Sequence, residues 1–329
     1  GRWQPGEAVF ASLAARQRSD ASRWEAAAGA EDVALAAGEA YLLLVREGAV
    51  LSAATTSLAL ATSIRTELEG RTAAGVGAPA EVLTAKSREA TARARQTQAR
   101  ASVRSAALRL GTLLNLPPDV ILAAADDVPL GLRLIDPSRT EASFVADGLA
   151  ARAELRRADS ESCAAAEERR AARIAPWVPT ITVDAGTGGF GDSFGDLRSR
   201  DEVRVGVEWT IGEGGILDAA RAARADARLR QAEVGAAAAR AQVVRQVREA
   251  FGLVTAGREA IAAAQVAVDD ARLAEAAFRE RVRGGVSGPL ELVVAQEALQ
   301  AAWVVWIDAL VDHDRAQLRL LHATGKRGP

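Results

Sequence analysis

Methionine is absent from this 329-residue chain, cysteine and tyrosine occur once each, histidine twice, and aromatic residues amount to 4%. So few large side chains cannot fill a thick globular core at the density of a protein interior, but they can line long thin helices that pack closely. Cys163 has no second cysteine for a disulfide, and no Cys or His stands around it at metal-ligand spacing. Long apolar runs are missing too. The richest stretch, Leu292 to Val311, is interrupted by Gln296, Glu297, Gln300 and Asp308, so a transmembrane helix is not expected. Neither charge prevails: 41 basic residues face 43 acidic ones, which gives no electrostatic reason to expect nucleic acid as a partner. Gly1 is not an initiator, so the chain is expected to be a processed product or a fragment, any secretory signal lying ahead of residue 1.

What is present is a repeat. Gly75-Val76-Gly77-Ala78-Pro79-Ala80-Glu81-Val82-Leu83 lines up with Gly285-Val286-Ser287-Gly288-Pro289-Leu290-Glu291-Leu292-Val293 at an offset of 210, and Tyr41 falls on Phe251 at the same offset. Trp3-Gln4-Pro5-Gly6-Glu7 resembles Trp209-Thr210-Ile211-Gly212-Glu213 at an offset of 206. The chain is one unit written twice, with a first repeat over 1–135 and a second over 136–329. Each contains a run free of internal proline and rich in Ala, Arg, Gln, Glu and Leu, from Ala8 to Ala73 and from Ile216 to Arg283. That is a strong helix composition, and at 1.5 Å per residue such a run makes a helix on the order of 100 Å long. A Gly and Pro turn follows each, and a returning helix is expected over 80–114 and 290–323, so the second long hairpin occupies about 214–324. A shorter helix is expected over 138–174.

In the last helix Val304, Ile307, Val311, Leu318 and Leu321 form one seam at coiled-coil spacing, and Leu292, Leu299, Trp303, Trp306 and Leu310 form its neighbour. Two adjacent seams suit a helix with a neighbour on each side. The wall of a helical tube and an ordinary antiparallel bundle both satisfy that pattern.

Between the long helices a β-hairpin is expected over 178–211. Ile181 to Thr187 alternates with period two, and Val203 to Ile211 does so strictly, with Val203, Val205, Val207, Trp209 and Ile211 on one face and Arg204, Gly206, Glu208 and Thr210 on the other. Nine or ten tilted residues span a bilayer's hydrocarbon with apolar side chains outward. Trp177 and Trp209 fall at the same end of the hairpin, as an aromatic girdle at one membrane interface requires. The connection Gly188 to Glu202 is long and polar, rich in Gly and Asp. One hairpin cannot span alone, since its open edges would be unsatisfied in lipid, so closure must come from other chains.

Two motifs are set aside. Asp312-His313-Asp314 cannot converge on one metal ion, because adjacent helix residues point about 100° apart, and it reads as solvated helix surface. Gly186-Thr187-Gly188-Gly189-Phe190-Gly191 has neither the following Lys nor the helix start of a phosphate loop. No nucleophile, base and metal set converges anywhere, so no catalytic residue is assigned.

The duplicated hairpins, the Pro176-Trp177-Val178-Pro179 lead into a strand, Gly212-Glu213-Gly214-Gly215-Ile216 leading from strand to long helix, and the close at Ala323-Thr324-Gly325 together resemble the outer membrane efflux protein, or TolC-like, family. The resemblance covers essentially the whole chain. It implies a mainly α fold with a small β part, long antiparallel hairpins forming a helical barrel through the periplasm, and a transmembrane β-hairpin contributing to a trimeric β-barrel in outer membrane lipid. It also implies a homotrimer engaged by a periplasmic adaptor and an inner membrane transporter, with no cofactor and no reaction catalysed. Family members supply four strands per protomer; here only the second pair is complete, and Gly1-Arg2-Trp3 reads as the stub of a strand in an N-terminally truncated first repeat. The hairpin tips that would meet the adaptor are Arg71, Gly75, Val76, Gly77, Ala78 and Pro79 in one repeat and Arg283, Gly284, Gly285, Val286, Ser287, Gly288 and Pro289 in the other. Glu81 and Glu291 would stand at the periplasmic aperture, while the position one turn beyond Glu291 is Val294. The competing reading is a periplasmic coiled-coil adaptor or scaffold, which would need many short strands flanking a single hairpin.

Overall fold

The computed structural model describes residues 2–3, 5–117, 119–124, 131–190, 198–209, 216–284, 286 and 288–325. Along the chain these form β1 (Arg2–Trp3), α1 (Pro5–Ala73), α2 (Pro79–Leu113), α3 (Glu141–Ala151), α4 (Ala153–Ile174), a 3-10 turn (Ala175–Trp177), β2 (Thr180–Phe190), β3 (Arg198–Glu208), α5 (Ile216–Arg283) and α6 (Pro289–Ala323). Both hairpins expected from the repeat are present. Proline stands in the first turn of α2 and α6, where its missing N–H would have no helical partner in any case. Several threonines within the long helices satisfy their hydroxyls on the carbonyl four residues earlier, as Thr55 does to Leu51 and Thr97 to Arg93.

The expected helix over 138–174 is in fact two. Arg152 adopts an extended backbone (φ −61°, ψ 128°), and its buried guanidinium turns to Glu154 in the next helix, with Nε donating at 2.8 Å. The strands also run longer than their alternation suggests: Gly188 pairs with Arg200 and Phe190 with Arg198, so part of the expected loop is ladder. A ladder needs only backbone groups, and the polar, glycine-rich ends can supply them without alternation. β3 ends at Glu208 rather than 211, and Thr210 and Ile211, like Gly212 to Gly215, lie outside the described residues.

Contacts divide the chain into two compact units that cut across the repeats: residues 1–29 with 152–244, and residues 30–151 with 245–329. In the first unit the start of α1, the whole of α4 and the start of α5 pack through small residues such as Ala14, Ala21, Ala158, Ala164 and Ala225. The charged helix α4 is tied on both sides by ion pairs. Glu168 takes Arg18 of α1 and Arg228 of α5, and Asp226 of α5 takes Arg169 (2.6 Å) and Arg173 (3.0 Å). Exposed pairs are screened by solvent and stabilise little individually, so their joint effect is to choose the register of a helix with little apolar surface. The sheet of this unit has the order β1-β2-β3, all antiparallel, with Trp3 opposite Ile181.

In the second unit α2 buries Ala85, Ala92, Ala99 and Ala106, one every seventh residue. A heptad seam of alanine lets helix axes approach closely over several turns, and it was readable in the sequence alongside the seams of α6. Ile307 and Val311 of α6 are buried against Leu42 and Ala49 of α1, with Trp306 and Leu318 beside them. Gly38 of α1 is where α6 comes near: a Cβ there would stand 3.1 Å from Leu318. By length and composition α6 qualifies as a membrane span, contrary to the expectation from its interruptions. Its packing in this unit gives it another place. Asp308 is bound by Arg46 of α1 at 2.7 Å, and the seam closes on that helix.

A further correction concerns Asp312-His313-Asp314. Asp312 is exposed and pairs with Arg315, but His313 is buried and Asp314 is 1% exposed. The α6 face that carries them is covered by the connector between the repeats and by Gly257 of α5.

Candidate functional site: strand pair and hairpin tips

Register decides what the strand pair shows to its surroundings. Ile181 faces Val207, Val183 faces Val205 and Ala185 faces Val203, which places all six on one side of the two-stranded ribbon; Thr182 with Gly206 and Asp184 with Arg204 lie on the other. Val203, Val205 and Val207 are 73%, 66% and 57% exposed. A folded protein in water rarely leaves such a row uncovered, and nothing among the described residues covers it. The paired length of 11 residues per strand corresponds to about 36 Å along the strand, or roughly 27 Å of height at a 40° tilt. An outer membrane barrel presents an apolar band about 25 Å tall, so the ladder has the reach for one crossing.

Trp177 precedes β2, Trp209 follows β3, and Thr180 pairs with Glu208 beside them. Both indoles therefore lie at one end of the ribbon, and both are largely exposed. Gly186 to Phe190, set aside above as a phosphate loop, belongs to β2; Gly191 lies outside the described residues. At Gly206 a Cβ would stand 2.7 Å from the Thr182 hydroxyl, so a side chain there requires that hydroxyl to turn away.

Both tips belong to the second unit. At the first, Gly75 has φ +77°, the Val76 N–H donates to the Arg71 carbonyl at 2.9 Å and the Gly75 N–H to Thr72 at 3.0 Å. This is a six-residue helix-ending loop whose left-handed residue suits glycine. At the second, the Val286 N–H donates to Arg281 at the same 2.9 Å, while Gly285 and Ser287 lie outside the described residues. Gly77 serves a different need, since a Cβ there would meet the Thr72 hydroxyl at 2.7 Å and the Thr72 backbone N at 3.1 Å. Glycine and proline thus satisfy the local backbone, and the two valines do not: Val76 and Val286 are each 73% exposed. Arg71, Ala78, Pro79, Arg283, Gly284 and Gly288 are exposed around them, with Arg283 paired to Glu280 at 2.8 Å; of Pro289 only the backbone is described.

Glu81 and Glu291 occupy matching places in the first turns of α2 and α6, where a carboxylate is favoured by the helix dipole. Behind the tips Ile64, Leu68, Ala85 and Val293 form a buried cluster, so α6 is anchored on the first hairpin there. Above it an open groove of about 400 Å³ lies between α1, α5 and α6, with Leu60, Leu299, Trp303 and Ile307 in its walls. Among its polar members the buried Glu275 is paired with Arg279 at 2.6 Å and accepts from Gln296 at 2.8 Å. Sequence reasoning did not find this groove, because it joins residues from three helices. Among the described residues no group of three or more His, Cys, Asp or Glu could hold a metal ion.

Comparison with known proteins agrees with this geometry. Among curated proteins none matches. Among solved structures, a membrane protein from Pseudomonas aeruginosa superposes with a TM-score of 0.86 at 20% identity, over 99% of this chain and 76% of that one. The outer membrane protein VceC from Vibrio cholerae gives 0.81 at 21%, over 99% and 78%. The open state of the MtrE outer membrane channel from Neisseria gonorrhoeae gives 0.79 at 21%, over 98% and 72%. At such identities the likeness establishes the fold. The family model for the outer membrane efflux protein matches residues 145–326, more than half of the chain. With hairpins, strand pair and tips all in the order that fold requires, this chain belongs to the outer membrane efflux protein family, proteins of the outer membrane that form channels and not enzymes.

Proposed function

We propose that the chain is one protomer of a homotrimeric, passive duct. Its strand pair joins those of its copies in a β-barrel in outer membrane lipid, its hairpins line a helical barrel in the periplasm, and its tips dock a periplasmic adaptor that links the duct to an inner membrane transporter. The observation that carries this reading is the pair of matching exposed valines, Val76 and Val286, held on rigid turns whose backbone needs do not call for them. Small apolar side chains at solvent-facing helix ends fit a packed contact with another helical tip. Arg71 beside them supplies positive charge for steering toward an acidic partner surface. Glu81 and Glu291 form the acidic rim of the aperture in this reading, and Trp177 and Trp209 anchor the barrel at the membrane surface.

The test is the double substitution Val76→Asp with Val286→Asp. The amount of trimer in the outer membrane should stay near normal, while solute efflux and crosslinking to the adaptor are lost. Efflux that survives the double change removes the docking role from the tips. Disappearance of the trimer makes them structural instead.

A further inference from the structure

In the second unit, three polar side chains on one face of α6 are buried although their helix could have turned them to solvent: His313, Asp314 and Gln317. Two of them hold the backbone of the connector that joins the repeats. The Gln317 amide accepts from the Leu134 N–H at 2.9 Å and donates to the Leu132 carbonyl at 2.8 Å, and Asp314 Oδ1 accepts from the Leu132 N–H at 2.9 Å. Residues 131–134 have no regular structure, so side chains of α6 do for them what a neighbouring strand would do. Ile135 follows as a buried anchor.

The cluster is short of one proton or one partner. Gln317 Nε2 has two hydrogens, and three acceptors stand within reach: the Leu132 carbonyl, His313 Nδ1 at 3.1 Å and Asp314 Oδ1 at 3.2 Å. Asp314 Oδ2 and His313 Nε2 are buried with no hydrogen-bond partner. No cation faces Asp314 among the described residues. On its own helix His313 lies 3.7 Å away, its protonation disfavoured by burial and by Arg258 of α5, and Arg315 is bound to Asp312. From the connector Arg133 points to solvent, and Asp136 is taken by Ser138. On α1, Glu39 is taken by Arg319 and Asp32 faces His322; on α3, Glu141 is held by Arg248.

We infer that Asp314 and Gln317 form a latch for the connector between the repeats, closed while Asp314 carries a proton and released when it loses it. A neutral carboxyl with its proton on Oδ2 keeps Oδ1 free to accept from Leu132, so the latch is complete in that form. A carboxylate at 1% exposure, with no counter-ion, must find water. The α5 side cannot yield, because Gly257 already touches His313 so closely that a Cβ would lie 3.0 Å away. The connector can yield, since Gly131, Leu132 and Arg133 are exposed.

Burial raises the Asp314 carboxyl to about 6, against the pull of its bonds from Leu132 and Gln317. Its folded value lies above the unfolded one, so its contribution is complete below the ordinary carboxylate value and is lost as pH rises through about 6. His313 runs the other way. Burial and Arg258 lower it, so its contribution is complete above the ordinary imidazole value and lost in acid.

Hydrogen exchange at the Leu132 and Leu134 amides tests the latch, measured on the whole protein in detergent and corrected for intrinsic rates. In the natural chain, protection at pH 5 should exceed that at pH 7.5 by about tenfold. Asp314→Asn, which copies the protonated shape, should be protected to within about twofold at both pH values. Gln317→Leu should exchange fast at both, and His313→Gln should keep the decline with rising pH. Flat protection in the natural chain overturns the proposal, as does a decline that survives in Asp314→Asn. If Asp314→Asn fails to assemble, the decision falls to the natural chain and Gln317→Leu: a decline in the first without fast exchange in the second also overturns it.

Discussion

Replacing Val205 with arginine separates a lipid-facing strand from an exposed one in water by magnitude alone. Val205 stands opposite Val183, two residues from the middle pair of the ladder, Ala185 with Val203, and is 66% exposed in the single chain. Were that face in water, the new charge would be solvated and stability would move by no more than about 0.5 kcal/mol. Against lipid near the bilayer midplane the same arginine costs roughly 2–4 kcal/mol, a factor of about thirty or more in the ratio of folded to unfolded protein. Arg204→Gln is the matched control, because Arg204 lies on the other face against Asp184 and toward Glu202. The assay is the amount of assembled protein in isolated outer membranes, followed by denaturant-induced unfolding from lipid vesicles. Val205→Arg should deplete the membrane fraction and Arg204→Gln should leave it nearly intact. Equal loss from both, or loss from neither, refutes the assignment of faces.

Two further outcomes are expected. Gly257→Ala places a Cβ within 3.0–3.2 Å of His313, including its Cα, so α5 and α6 must separate locally; a loss of about 1–3 kcal/mol in denaturant unfolding is expected. Arg173 and then Arg169 hold the Asp226 carboxyl below the ordinary carboxylate range, so its contribution is present above that range and lost as pH falls through the lowered value. Asp226→Asn should therefore lower the melting temperature at neutral pH, and the difference from the natural chain should vanish in strong acid.

The long helices, the turns between them and the alternating strands were legible in the order of residues because each rests on local physics. Alanine-rich composition without internal proline sets α1 and α5, glycine and proline end them, and a period of two can describe only a half-covered strand. The tips were legible for the same reason, since Gly75, Val76 and their counterparts are neighbours in the chain. The burial of His313 and Asp314 was not. Their helix says only that they point in different directions; that one face is covered depends on Leu132 and Leu134, some 180 residues earlier, coming to lie on it. The break at Arg152 was hidden likewise, because helix propensity favours continuity there while its guanidinium is buried beside Glu154 in the folded chain. The groove at Trp303 needs three helices before it exists. Sequence alone settled what each segment is, through backbone preference and period; the tertiary structure decided which polar groups lose water, because desolvation is a property of what comes to lie on top of them.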